Sequence, residues 1–104
     1  MPSRPEFTSV LGKKVTLSKE AVNHMMSRHI ELSSISDLAG AIRNTVEEPD
    51  YVVLGLHGEH IAVRRYQTSN YLVVPYREGG EVKTAFITSN MTKLLRREVI
   101  WKRS

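Results

Sequence analysis

The chain contains no cysteine. That one absence excludes a disulfide framework, a thiolate metal site, a thiol nucleophile and a thiol redox role. No apolar run approaches the ~20 residues of a membrane span, and the first seven residues are polar, with Pro2 and Pro5 among them. The expectation is therefore a soluble, unexported, cytoplasmic protein with no membrane contact. A Gly-rich phosphate loop ahead of a helix is also missing, because Gly79-Gly80 lies in a hairpin composition, so nucleotide hydrolysis has no support. The one acidic cluster, Glu47, Glu48 and Asp50, surrounds Pro49 and is explained by the end of a helix.

What is present fits one small domain. With 104 residues, 40% hydrophobic and 25% charged, there is room for a single modest core. Residues 1–12 read as a flexible N-terminal segment, and 13–104 as one α+β domain. Lys13 to Leu17 reads as a short edge strand. The stretch Ser18 to Leu32 then reads as a helix: Ser18 caps it, Glu20 stands at its positive end, and Arg28 and His29 stand at its negative end. Ala21, Val22, Met25 and Met26 form an apolar stripe in which His29 falls, while His24 lies at the margin beside Arg28. Ser34, followed by Asp37, opens a second helix whose Ile35, Leu38, Ala39, Ile42 and Val46 recur at helical spacing, and Pro49 stops it.

Beyond Pro49 the period changes. Tyr51 to Leu56, Ile61 to Tyr66, Tyr71 to Tyr76 and Val82 to Thr88 are four strand patterns rich in Val, Ile, Tyr and Thr, joined by links of hairpin length. Helices first and strands after is an α+β order. The expected architecture is two N-terminal helices packed on a four-stranded antiparallel meander, with a short C-terminal helix. Asn90 caps that helix, Met91, Leu94 and Leu95 face inward, and Val99 to Trp101 packs back.

The net charge of +4 is concentrated. Lys93, Arg96, Arg97, Lys102 and Arg103 stand against Glu98 alone, and the rest of the chain balances ten bases with ten acids. A basic end on a neutral body suits phosphate; a solvated amphipathic tail is the plainer reading. His57-Gly58-Glu59-His60 could hold a transition metal, but no fourth ligand is apparent, and a mobile exposed turn is the better explanation. No metal or cofactor is expected. Metal-free RNA cleavage asks only for a base, an acid and donors to the phosphorane oxygens. Histidine, arginine, lysine and hydroxyl groups supply these. In the last strand pattern Thr84, Phe86 and Thr88 share one face, and Lys83, Ala85, Ile87 and Ser89 the other. Arg64 and Arg65 point to opposite faces, so one of them can meet phosphate. Tyr66, Tyr71 and Tyr76 either stack on bases or pack across strands.

The order Val15-Thr16-Leu17-Ser18, His24-x-x-x-Arg28-His29, Glu48-Pro49-Asp50, Tyr71-Leu72-Val73-Val74 and Thr84-Ala85-Phe86-Ile87-Thr88-Ser89 resembles small nucleases of the barnase, EndoU, colicin and RelE-like (BECR) fold, in their phage- and toxin-associated branches. The resemblance covers residues 15 to 90. It implies helices on a four-stranded antiparallel sheet, with polar side chains from a helix and the last strands acting on RNA without metal. By position, His24, Arg28 and His29 match the helical motif, and Thr84, Thr88 and Ser89 the late-strand motif. The leading expectation is a metal-independent endoribonuclease, a toxin or phage effector. In it His24 and His29 act as acid and base, Arg28 and Arg64 hold phosphate, and Thr84 and Ser89 bond its oxygens. Thr88, Tyr71, Lys93, Arg96 and Arg97 are further substrate contacts. Two alternatives stand beside it. One is a non-catalytic RNA-binding module, and the other is a protein-interaction domain in a homodimer or with an inhibitory partner.

Overall fold

Ser18 and Pro49 bracket the helical half of the chain as local chemistry dictates. The Ser18 hydroxyl accepts the Ala21 N–H at 3.0 Å, which starts α1 (Lys19–Arg28). Its ladder closes where the His29 N–H meets the Met25 carbonyl. The computed structural model describes residues 6–103. Before α1 lie β1 (Glu6–Thr8) and β2 (Lys14–Thr16); after it come a 3₁₀ helix (Ile30–Ser34) and α2 (Leu38–Glu47). Then follow β3 (Tyr51–Leu54), β4 (His60–Gln67), β5 (Asn70–Tyr76), β6 (Phe86–Thr88), α3 (Thr92–Leu95) and β7 (Val99–Lys102). The result is an α+β domain with a five-stranded antiparallel sheet in the order β6-β5-β4-β3-β7 and a separate β1-β2 hairpin.

The expected four-stranded meander therefore gains a fifth strand. Left alone, β3 would expose an edge of unpaired N–H and C=O groups. The C-terminal segment covers that edge, Tyr51 facing Lys102 and Val52 facing Trp101. Bonds from the Leu54 N–H to the Glu98 carbonyl (2.9 Å) and from the Arg103 N–H to the Asp50 carbonyl (3.0 Å) fasten its two ends.

The N-terminal expectation also changes. Flexibility was expected through residue 12, yet Phe7 pairs with Val15 in the hairpin, and both are buried. Residues 1–5 of that segment lie outside the described residues. A three-residue strand carries too little periodicity to be read from sequence. The second helix begins later than expected. Asp37, not Ser34, is its cap, its carboxylate accepting the Gly40 N–H at 3.0 Å. Ser33 and Ser34 instead close the 3₁₀ helix on the carbonyls of Ile30 and Glu31.

The sheet has two unlike faces. On one, Ala62, Leu72, Val74, Tyr76 and Ile87 join Met25, Leu38, Ile42 and Val46 of the helices and Phe7 and Val15 of the hairpin in the main core. Each large apolar side chain withdrawn there from water contributes roughly 1.5–3 kcal/mol before entropy is counted. On the other face Val53, Ile61, Val63 and Val73 form a second, smaller cluster with Tyr51, Tyr71 and Phe86, under Met91 and Leu94 of the α3 turn. Leu95, expected inward, is exposed.

The last strand pattern, expected unbroken from Val82 to Thr88, divides. Val82 faces Tyr76 while Phe86 faces Val73, so four residue steps on one side answer three on the other. One extra residue forms a bulge. It turns Val82 to the helices and Phe86 to the opposite face, although alternation alone puts them together.

Candidate functional site

Helix α1 and the segment around β6 meet at one edge of the sheet. His29, the residue that ends α1, has its ring 6.0 Å from the ring of Phe86, tilted by 37°. Its Nδ1 is 3.7 Å from a Glu31 carboxylate oxygen. The apolar stripe predicted to contain His29 stops short of it, because its extended backbone (φ −127°) swings the side chain out of helical register. His24, one turn earlier and exposed, lines a shallow hollow with Ser18, Glu20, Ala21, Glu81, Val82 and Lys83. The two histidines thus serve neighbouring but separate surfaces. Arg28 is exposed at the helix end.

The late-strand hydroxyls are less available. Thr88 lies opposite Tyr71, but its hydroxyl accepts the Asn90 N–H at 3.1 Å and sits 3.3 Å from the Asn90 carbonyl, closing the turn. Asn90 in turn accepts the Thr92 N–H just ahead of α3, whose N-cap is Met91 and not, as expected, Asn90. Ser89 is exposed in that turn, and Thr84 stands in the bulge, half-buried.

A second region occupies the sheet face away from α1 and α2. An open groove of about 350 Å³ is lined by Asp50, Tyr51, Arg65, Tyr71, Lys102 and Arg103. The Arg65 guanidinium carbon lies 5.8 Å from the Tyr71 ring centre, and Lys102 Nζ lies 5.8 Å from that of Tyr51. Both are cation–π distances. Tyr71, and after it Asp50, hold the Arg65 guanidinium pKa above its ordinary value, so this cation is permanent. Asp50 organises the floor. It accepts the Arg65 N–H at 2.8 Å and lies 3.8 Å from Arg103 Nε. Among the described residues Arg65 and Lys102 make no ion pair within 4.0 Å.

Arg64, chosen from sequence for phosphate, does structural work instead. Alternation sends it to the helix side, where its guanidinium donates to the Glu48 carbonyl at 2.7 Å. Arg103 donates to the same oxygen at 2.7 Å, and together they satisfy an orphan carbonyl at the negative end of α2. Of the three tyrosines considered for stacking, Tyr76 is fully buried and Tyr66 packs on the helix side, which leaves Tyr71. Lys93 and Arg96 are exposed on and just after α3, with Arg97 half-buried beside them. The turn at His57-Gly58-Glu59-His60 folds on itself. The Glu59 carboxylate accepts the His57 N–H at 2.9 Å, and backbone bonds hold its pKa below the usual carboxylate value. Among the described residues no three His, Asp or Glu side chains converge as metal ligands would.

Sequence reasoning passed over Tyr51 and Glu31, chose Arg64 over Arg65 for phosphate, and counted Lys102 and Arg103 only within the basic end. For Arg65, Tyr51 and Lys102 a signal existed, because alternation puts all three on one face once the strand pairing is known. The fold and these two regions define an α+β domain with histidine at one sheet edge and a basic, tyrosine-lined groove on its open face. No family model matches the chain, and neither a curated protein nor a solved structure does. Among the described residues no helix is long and apolar enough to cross a membrane.

Proposed function

We propose that the chain is a metal-independent endoribonuclease of the toxin or phage-effector kind, with the barnase, EndoU, colicin and RelE-like fold that its motif order resembles. The observation that carries this reading is the approach of His29 to Phe86, 6.0 Å between rings. It joins the helical and late-strand motifs, nearly sixty residues apart in sequence, at the edge of a basic sheet face. In the reaction a 2′-hydroxyl attacks the adjacent phosphorus as a base removes its proton. The P–O5′ bond breaks, and an acid protonates the leaving oxygen, giving 2′,3′-cyclic phosphate and 5′-hydroxyl ends. His29 and Glu31, 3.7 Å apart, are the proton carriers. Arg65 takes the phosphate role first given to Arg64.

The test is cleavage of end-labelled RNA in excess EDTA. His29→Ala should lower the rate by about 100-fold or more, the usual size of a lost acid–base group; His24→Ala should cost only a few-fold. Unchanged cleavage in the double variant sinks the proposal.

A non-catalytic RNA-binding module is the second reading. The Tyr51, Arg65, Tyr71 and Lys102 groove favours it, since it needs no proton transfer. Its signature is salt-sensitive RNA binding with no product.

A further inference from the structure

The groove on the open face carries more specific information about the RNA. Tyr71 stands on β5 opposite Arg65 of β4, and Tyr51 stands on β3 opposite Val63 of the same strand. The two tyrosines are therefore two strand spacings apart across the sheet and two residues apart along it. With strands about 4.8 Å apart and a rise of about 3.4 Å per residue, their backbones lie roughly 12 Å from each other. Neighbouring bases in a helical stack are separated by only ~3.4 Å per strand. Two anchors this far apart cannot both hold neighbouring bases of an intact stack. They fit a strand whose bases are splayed out one by one.

Charge points to the same occupant. Arg65 and Lys102 each lie 5.8 Å from a tyrosine ring centre, and Arg103 closes the end of the groove. Among these lining side chains only Asp50 is acidic, and it is engaged by the Arg65 N–H and Arg103. Met91 and Leu94 seat α3 on this face, so the exposed Lys93 and Arg96 flank it. The row continues to the histidine edge. Tyr71 faces Thr88 across β6, and Phe86 of that strand touches His29.

We infer that the open face is a cradle for single-stranded RNA running across the strands from the His29 edge to β7, with a base on Tyr71, another on Tyr51, and phosphates at Arg65 and Lys102. This rests on the reading that RNA is the substrate. An incoming base displaces each cation from its ring, and the cation turns to the neighbouring phosphate.

The experiment is fluorescence anisotropy with labelled 2′-O-methyl oligoribonucleotides of two to ten residues, which lack the attacking hydroxyl and cannot be cut. Affinity should climb steeply over the first several nucleotides and then level. A duplex of equal length should bind at least ten-fold more weakly. Tyr51→Ala should weaken binding of the longer strands by roughly ten-fold, the scale of one lost stacking platform, and Tyr51→Phe should restore it. Lys102→Gln should lower the salt slope by about 0.7, one phosphate contact on a single strand. Equal affinity for duplex, or Tyr51→Ala and Lys102→Gln proteins that are folded and bind as wild type, overturns the cradle. Cleavage is read separately. Length-dependent binding by a protein that cuts nothing removes the nuclease reading and leaves the cradle; cutting whose KM ignores Tyr51 and Lys102 does the reverse.

Discussion

The two faces of the sheet are built from the same strands and do opposite work. Residue by residue, alternation deals Ala62, Arg64, Leu72, Val74 and Tyr76 to the helices, and Val63, Arg65, Tyr71 and Val73 to the other side. On the covered face even the arginine is used as a structural donor. The open face keeps only a small apolar cluster at its centre, and its Arg65 and Lys102 make no ion pair within 4.0 Å among the described residues. Stability is therefore concentrated where the helices pack, and the ligand chemistry we propose where they do not.

The comparison breaks most easily at Ile42, which is fully buried under the helix-covered face. Ile42→Ala should cost about 2–4 kcal/mol of unfolding free energy, the lost transfer energy plus a cavity. Denaturant titration measures this. RNA affinity of the folded protein should stay at the wild-type value, and a matching loss of affinity would mean that the faces are not independent.

The Arg64 and Arg65 pair sharpens the contrast. Arg64→Ala removes one of two donors to the Glu48 carbonyl and should destabilise by about 1 kcal/mol, the net worth of such a bond, without changing RNA affinity. Arg65→Ala should do the converse: stability within ~0.5 kcal/mol of wild type, as for an exposed side chain, and RNA binding weakened by several-fold with a lower salt slope. Equal effects of the two variants on RNA binding would remove the assignment of the groove.

This pair also marks how far the sequence was legible. The Ser18 cap, the Pro49 stop, the helix-then-strand order and the opposite orientation of Arg64 and Arg65 depend on near neighbours, and they stand in the structure as read. Which of the two arginines lies under α2 depends on which sheet face the helices cover, and no local pattern carries that. The same holds for β7, whose partner β3 lies some fifty residues earlier, and for the bulge after Val82, where one extra residue reverses the faces assigned by alternation. The helical and late-strand motifs were visible as short strings. Their meeting through His29 and Phe86, and the gathering of Tyr51, Arg65 and Lys102, come from pairing across the sheet.

The effect expected to be smallest at pH 7 tests how well the covered face is sealed. Tyr76 is fully buried, and its hydroxyl, near Glu78 and Ser9, makes no hydrogen bond among the described residues. Burial first, and the Glu78 carboxylate next, push its pKa well above the ordinary value. As pH rises, the unfolded chain releases this proton before the folded chain does. The contribution to stability is thus complete below about pH 10, the ordinary tyrosine value, and is lost as pH climbs from there toward the folded value. Tyr76→Phe should change stability at pH 7 by under ~1 kcal/mol, because no hydrogen-bond partner is stranded. Above pH 10 the wild type should lose stability faster than the variant, by up to about 1.4 kcal/mol per pH unit for one proton. Denaturant titrations of both proteins between pH 7 and about 11.5 measure the difference, and the subtraction cancels the other tyrosines and the lysines. Parallel curves would mean that the Tyr76 hydroxyl ionises as readily folded as unfolded, and that water reaches the covered face beside Glu78.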